Sequence, residues 1–407
     1  MKLLLLGLNF TPELTGIGRY SGEMAAWLAA RGHQVRVITA PPYYPSWRVG
    51  EGYSGWRYRR ESQQGVEVWR CPLWVPGRPS AWKRIVHLAS FAASSVPPAL
   101  WWSRWWPDWV IAIAPAFLSL PVALLAARLG RGRCWLHIQD FEIDAALGLG
   151  MLNPGKLGRA VLGMERFLLR RCQVVSTISR SMQERLLVKG VPPERTFLLP
   201  NWADASVAQD AVGGERFRAR LGLDDRTPLV LYAGNLGKKQ GLEILPQVAA
   251  RLPRVQFVVC GQGAAEKDLK RACAGLSNIR FLPLQPAEEL SAMLSAADVH
   301  LVLQKKGAAD LVMPSKLTNI LAIGGRAVVT AEPDTELGRL VRENPGIAAL
   351  CPPEDADRLV EVIAQVLRQA GSEGRRNKPA IDYARRYLDR EAILTAFENR
   401  LLKHIGC

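Results

Sequence analysis

No CxxC pair and no Cys/His cluster occurs anywhere in the 407 residues. The seven cysteines (Cys71, Cys134, Cys172, Cys260, Cys273, Cys351 and Cys407) are scattered. That spacing supports no zinc site and reads as reduced structural thiols of a cytosolic protein. The DAD triplet at 355–357 resembles a metal motif, but it lies in PPEDADRLVEVIAQVL, where proline and acids open a helix. No metal is expected. Nor is there an uninterrupted apolar run of the about 20 residues that a spanning helix needs. Met1–Leu8 is too short for a signal peptide and runs straight into a polar turn. Residues 85–102 contain His87, several serines and Pro97–Pro98, and residues 109–127 contain Pro115 and Pro121. The second stretch reads as a strand, a turn and a buried helix.

Acidic residues are the scarcer sign, 37 against 53 Lys and Arg, for a net charge of +16. Such a chain attracts nucleic acid, anionic lipid or phosphorylated small molecules. The excess includes RYRR (57–60), Lys83–Arg84, RLGRGR (128–133) and RFLLRR (166–171), all in the first half. No RNA-binding or helix-turn-helix signature accompanies them, so nucleic acid is not an expected partner.

What is present is alternation. Apolar strands at 2–8, 34–39, 66–71, 109–114, 134–139, 174–179 and 196–200 interleave with helices at 20–31, 82–105, 117–129, 156–171 and 180–188. A second set follows, with strands at 229–234, 255–261, 279–283, 299–303 and 327–331. Its helices are 241–251, 263–275, 286–296, 315–323 and 334–343, and 354–404 is mostly helical. This pattern predicts an α/β protein of two doubly wound, Rossmann-like domains facing across a cleft, with a C-terminal helical segment. The predicted boundaries are 1–200, a polar linker at 201–214, a second domain at 215–375, and helices at 376–407 that cross back to the first domain. Ligands of such sheets sit beyond the carboxyl ends of the strands.

The loop after the first strand carries Gly16, Gly18 and Gly22, a G-x-G-x-x-x-G spacing. A dinucleotide fingerprint needs G-x-G-x-x-G and a tight turn, which the long NFTPELT segment does not supply. The loop reads either as a helix start whose N–H groups, with Arg19, receive a phosphate or sugar, or as glycines that merely permit a turn. In the second half, GNLGKKQG (234–241) offers Gly234, Asn235, Lys238 and Lys239. GQG (261–263) brings Gly261 and Gly263 close to a ligand, and PSKLTNIL (314–321) opens a helix with Ser315, Lys316 and Leu317. A lysine after a strand is more often solvated surface; three such segments at strand ends in one domain point to a diphosphate. HIQDFEID (137–144) places His137, Asp140, Glu142 and Asp144 at a strand end, either to orient a substrate hydroxyl or to cap a helix.

TPELTGIGRYSGEMAAWLAARGHQVRVITAPPYYP, TISRSMQERLLVKGVPPERTFLLPNWAD, YAGNLGKKQGLE, VCGQGAAEKDLK and LVMPSKLTNILAIGG together resemble bacterial family 4 glycosyltransferases of the GT-B fold. The likeness extends over nearly the whole chain and is strongest to a subgroup that builds colanic acid-like exopolysaccharide. It implies a retaining hexosyltransferase that uses a nucleotide sugar as co-substrate and no further cofactor. Within that subgroup the donor implied is GDP-fucose and the acceptor a polyprenyl-diphosphate-linked saccharide at the cytoplasmic membrane surface. It also implies donor contacts from Gly234, Asn235, Lys238, Lys239, Gly261, Gly263, Asp310, Ser315, Lys316, Leu317 and Asn319, with Gly16, Gly18 and Arg19 on the acceptor side. His137, Asp140 and Glu142 orient the acceptor. The family's arginine and lysine in the segment after the first donor strand fall on Asn235 and Gln240, so Lys239 is the expected substitute. The family's second glutamate, which holds the ribose hydroxyls, falls on Asn319, and the first falls near Leu311 beside Asp310. Two other readings stay open: a UDP-N-acetylhexosamine-dependent transferase, and a non-catalytic nucleotide-sugar-binding module. Five tryptophans at 101–109, near Lys83, Arg84 and Arg104, suit either peripheral attachment to an anionic leaflet or a core edge.

Overall fold

The computed structural model describes residues 1–13, 16–78, 80–115, 117–144, 155–203, 207, 209–306 and 315–404. The chain forms two compact units, Met1–Pro200 with Leu394–Cys407, and Asn201–Ile393.

Unit 1 is built on an eight-stranded sheet: β1 (Lys2–Gly7), β2 (Gln34–Thr39), β3 (Arg59–Gln63), β4 (Val66–Arg70), β5 (Trp109–Ala114), β6 (Arg133–Ile138), β7 (Val174–Thr177) and β8 (Thr196–Leu198). The strand order is β3-β4-β2-β1-β5-β6-β7-β8. All neighbours are parallel except the β3–β4 hairpin. Leu3 to Leu6 and all of β5 are buried, as expected of parallel strands covered on both faces. The helices are α1 (Gly16–Ala30), α2 (Ala81–Ser103), α3 (Leu120–Leu129), α4 (Lys156–Leu169) and α5 (Arg180–Val188). Strand order reverses at β1, which has β2 on one side and β5 on the other. Beyond its carboxyl end lies the crevice where doubly wound sheets take ligands.

Unit 2 begins with α6 (Ala211–Arg220) and has a six-stranded parallel sheet: β9 (Leu229–Ala233), β10 (Gln256–Cys260), β11 (Ile279–Leu282), β12 (Val299–Val302), β13 (Ala327–Thr330) and β14 (Ala349–Cys351). Its order is β11-β10-β9-β12-β13-β14, so the reversal falls at β9. The helices that follow α6 are α7 (Leu245–Arg251), α8 (Glu266–Ala272), α9 (Leu290–Ala296), α10 (Ser315–Ala322), α11 (Glu336–Glu343), α12 (Ala356–Glu373) and α13 (Lys378–Tyr387). The last helix, α14 (Arg390–Lys403), buries Leu394, Phe397 and Leu401. It packs on unit 1: Phe397 meets Trp135 edge-on at 4.9 Å, and the Trp109 indole N–H donates to the Leu401 carbonyl at 3.3 Å. Glu398 receives Arg31 at 3.0 Å and His33 at 2.7 Å.

Several elements differ from the sequence-based expectation. α1 starts at Gly16, not residue 20, so Gly16 and Gly18 are helical rather than in the loop. Part of the segment expected as linker is helix, because the Asp210 carboxylate caps α6 by accepting from the Gly213 N–H at 2.8 Å. The basic run at 57–60 leads into β3, a hairpin partner for β4. β14, three residues long, gives too brief a period to read. Among the described residues no helix is long and apolar enough to cross a membrane. The six described cysteines are buried and unpaired.

Candidate active site

In unit 2 the loops after β9 and β10 lie one on the other. The Gly234 N–H donates to the Cys260 carbonyl at 2.9 Å, and the Leu236 N–H to the Gln262 carbonyl at 3.0 Å. Gly234 and Gly261 have φ of 144° and 146°. A Cβ on Gly261 would stand 1.9 Å from the Gly234 carbonyl oxygen, and one on Gly263 would stand 2.5 Å from that of Leu236. The glycines therefore serve loop-on-loop contact, which leaves a low ledge of backbone beyond the strand ends. Asn235 is exposed on this ledge, its side chain lying over Gly237 and Gly263.

Lys316, in the first turn of α10, reaches back to the same ledge. Its ammonium lies 4.2 Å from the centroid of the Tyr232 ring and 3.5 Å from Gln240 Oε1. Tyr232 is held in place by donating its hydroxyl to the Asn235 carbonyl at 2.8 Å. Burial pushes the Lys316 ammonium down to about 7. A lysine in this state has given up water without gaining a carboxylate, and an incoming anion would restore its charge. Asn319 lies three residues on, on the same side of α10. The Lys239 side chain is exposed, and its carbonyl accepts from the Lys305 N–H at 3.1 Å. Gln240 stands where the family lysine is expected, and the amine the structure brings to it is that of Lys316. Leu317 is fully buried in the core of unit 2, so its side chain serves packing and not a ligand. Asp310 lies outside the described residues, and only the backbone of Lys238 and Ser315 is described.

In unit 1 the loop after β1 turns around Glu13, a residue not singled out from the sequence. Its buried carboxylate accepts from the Tyr43 N–H at 2.9 Å, the Tyr44 N–H at 3.0 Å and the Asn9 amide at 2.9 Å. Burial raises its pKa, and these donors together with Arg70 pull it back. The only sequence signal was an acid in a loop at a strand end. The helix glycines accommodate this loop: a Cβ on Gly18 would meet Glu13 Cβ at 2.7 Å, and one on Gly22 would meet Thr11 Cβ at 2.9 Å. Gly16 has φ of 61° with open space around it. Arg19 is half-buried beside Glu23 at 2.8 Å, its guanidinium over Tyr20.

The acidic segment divides. His137 is the penultimate residue of β6 and is buried. Its Nδ1 is 2.9 Å from Ser176 Oγ, which also accepts from the Trp135 indole at 2.8 Å. Burial pushes the ring down to about 3, so it stays neutral in the sheet and is withdrawn from the acceptor-orienting role. Asp144 is engaged by Arg185 at 2.7 Å and Lys189 at 2.9 Å. Glu142 accepts from the Phe117 N–H at 2.9 Å, joining the ends of β5 and β6, and Asp140 is half-buried in the turn between. Asp140 and Glu142 are thus the acids left at the strand ends. Among the described residues no group of three or more His, Cys, Asp or Glu side chains could hold a metal.

Residues 15–202 match the family model of the glycosyl transferase 4-like domain, and residues 214–386 that of the glycosyl transferases group 1. The chain is 48% identical over 409 residues, 98% of its length and 99% of the other's, to an Escherichia coli K12 protein described as a colanic acid biosynthesis glycosyl transferase, WcaI. The fold is similar to that of a sucrose-phosphate synthase from Thermosynechococcus elongatus, with TM-score 0.77 and 17% identity, covering 100% of this chain and 99% of that one. It is also similar to Anabaena HepE solved with UDP, with TM-score 0.72 and 17% identity, covering 99% and 100%. Both likenesses concern the fold, the two-unit α/β arrangement known as GT-B.

Proposed function

Because the chain belongs to the glycosyltransferase family with a 4-like amino domain and a group 1 carboxyl domain, we propose that it is a retaining enzyme that transfers fucose from GDP-fucose to a polyprenyl-diphosphate-linked saccharide in colanic acid-like exopolysaccharide synthesis. The observation that carries the catalytic reading is Lys316, a shielded ammonium beside the backbone ledge at 234–237 and 261–263.

As the glycosidic bond to the leaving diphosphate breaks, negative charge grows on its oxygens. A preorganised cation there lowers the barrier, because it is already desolvated and aimed. Lys316 supplies that cation, with Lys238, Lys239 and the N–H groups at the start of α10 as further donors of positive charge. Asn319 hydrogen-bonds the ribose as a neutral group. On the acceptor side, Asp140 and Glu142 orient the hydroxyl, and Gly16, Gly18 and Arg19 border its entry. The departing phosphate takes the hydroxyl proton on the same face of the sugar, so no separate protein base is needed and configuration is retained.

The name of the Escherichia coli relative supports the polysaccharide assignment. The exposed Trp82, Trp101 and Trp106, beside Lys83, Arg84 and Arg104, support peripheral attachment at the inner face of the membrane. The test is a panel of radiolabelled sugar nucleotides with glucose-diphosphate-lipid, following label into the lipid phase. Transfer from GDP-fucose with retained configuration is expected. Transfer from UDP-N-acetylhexosamines alone would replace the donor assignment, and binding without turnover of any donor would leave a nucleotide-sugar-binding module.

A further inference from the structure

We propose that the open cavity beside the β3–β4 hairpin of unit 1 is a subsite for an anionic sugar of the acceptor, taking its carboxylate or phosphate; the link to the acceptor rests on the glycosyl transfer proposed above. The cavity, about 330 Å³, lies among Pro41, Tyr53, Arg57, Tyr58, Arg59 and Arg70. That size is at the low end of the about 300–1,000 Å³ usual for small-molecule sites.

Its floor is rigid and positive. Arg70 is buried, and all three guanidinium nitrogens are committed: Nε to Glu61 at 2.8 Å, Nη1 to the Ala40 carbonyl at 3.0 Å, and Nη2 to the Thr11 carbonyl. It therefore ties the ends of β1, β2 and β4 together and places a fixed charge beneath the cavity. Glu61 is the acid paired with it, shared with Arg59 at 3.2 Å; the buried Glu13 carboxylate also feels the charge of Arg70, so the surplus positive charge at the cavity is that of Arg57. Arg59 is further positioned by donating to the Gly52 carbonyl at 2.9 Å. Arg57, exposed at the mouth, makes no hydrogen bond, ion pair or ring contact among the described residues. Its planar fork matches a carboxylate or phosphate in a way that a point charge does not.

The walls suit a sugar. The Tyr53 ring is steadied by Arg59 at 4.9 Å and Arg70 at 5.2 Å, giving a flat apolar face beside the cationic fork. Tyr58 is fixed by its hydroxyl donating to the Ser94 carbonyl at 2.9 Å. The cavity opens at the carboxyl ends of the unit 1 strands, near Ala40, which follows β2, and Thr11, in the loop after β1. The diphosphate ledge lies in unit 2, so the two anion sites are separately addressable.

The experiment is calorimetric titration of the full chain, carrying Lys316→Met to silence the ledge, with methyl glucuronide and with inorganic pyrophosphate. Binding of at least one probe is expected, weakened at least ~10-fold by Arg57→Ala, the loss of one charge-assisted contact. Glucuronide binding assigns a carboxylate, and pyrophosphate binding a phosphate. No binding of either, or binding indifferent to Arg57→Ala in a protein with an unchanged melting curve, overturns the proposal. In a transfer assay with an acceptor that carries the anionic sugar, Arg57→Ala should raise the acceptor KM about as much and leave the donor KM alone. If no donor supports transfer, the enzymatic reading fails, while the titration still decides the cavity.

Discussion

At Lys316 the ammonium lies over the Tyr232 ring and beside a neutral amide. With a pKa near 7, it loses its proton in the free protein as pH rises through neutrality. A bound diphosphate stabilises the charged form and raises that pKa, so binding takes up a proton. GDP affinity is therefore expected to be strongest below pH 7 and to fall above it. Titrations in buffers of different ionisation enthalpy should report the uptake, and Lys316→Met should abolish both effects. The same substitution should lower kcat by about 10²–10³, as loss of one charge-stabilising donor does. Lys239→Ala, at an exposed side chain, should cost far less. Equal losses in the two variants would return the role to Lys239. The sequence marked both lysines but could not rank them, because the ranking depends on which stem folds back over the strand end. Glu13 escaped notice for a similar reason: its partners Tyr43 and Tyr44 are thirty residues away. The burial of His137 was not legible because its partner, the Ser176 hydroxyl on β7, lies 39 residues away in sequence.

Among the elements, strands and helices were readable where burial imposes a period, as in the fully buried β5. The start of α1 was not, because glycine is usually a breaker and Gly18 and Gly22 are helical only to admit Thr11 and Glu13. β3 was hidden in a basic run, since an edge strand carries no apolar alternation. The paired glycine turns after β9 and β10 give a sharp test. Gly261→Ala places a methyl on the Gly234 carbonyl at a φ that L-residues rarely adopt. The conformation alone costs about 1–3 kcal/mol, so a lowered melting temperature and weakened nucleotide binding are expected. Gly16→Ala, with open space around it, should be milder, and calorimetry compares the two. The α2 region supplies another prediction. Trp102 and Trp109 are core, whereas Trp82, Trp101 and Trp106 are each more than half exposed. Trp101→Ser with Trp106→Ser should reduce sedimentation with phosphatidylglycerol vesicles while leaving the melting curve in place. Undiminished vesicle binding would remove these indoles from the attachment surface.

Over the whole molecule, unit 1 is assembled from two stretches of chain, with all of unit 2 between them. The closing stretch is not ornamental: Leu394, Phe397 and Leu401 are fully buried, and burying such side chains is worth roughly 1.5–3 kcal/mol each. Removing residues 390–407 should therefore consume much of a typical stability of about 5–15 kcal/mol. The expected result is loss of the cooperative melting of unit 1, seen by calorimetry, while the backbone ledge of unit 2 still titrates with GDP. An unaltered unit 1 transition would show α14 to be dispensable. The same arrangement bears on biosynthesis. Residues 1–200 leave the ribosome long before Phe397 is made, and at about 5–20 residues per second the delay is on the order of tens of seconds. Throughout it the indoles of Trp109 and Trp135 lie uncovered on a nascent sheet, so holdase chaperones have a defined apolar target, and a ribosome stalled within unit 2 leaves an unfinished first half exposed to proteolysis.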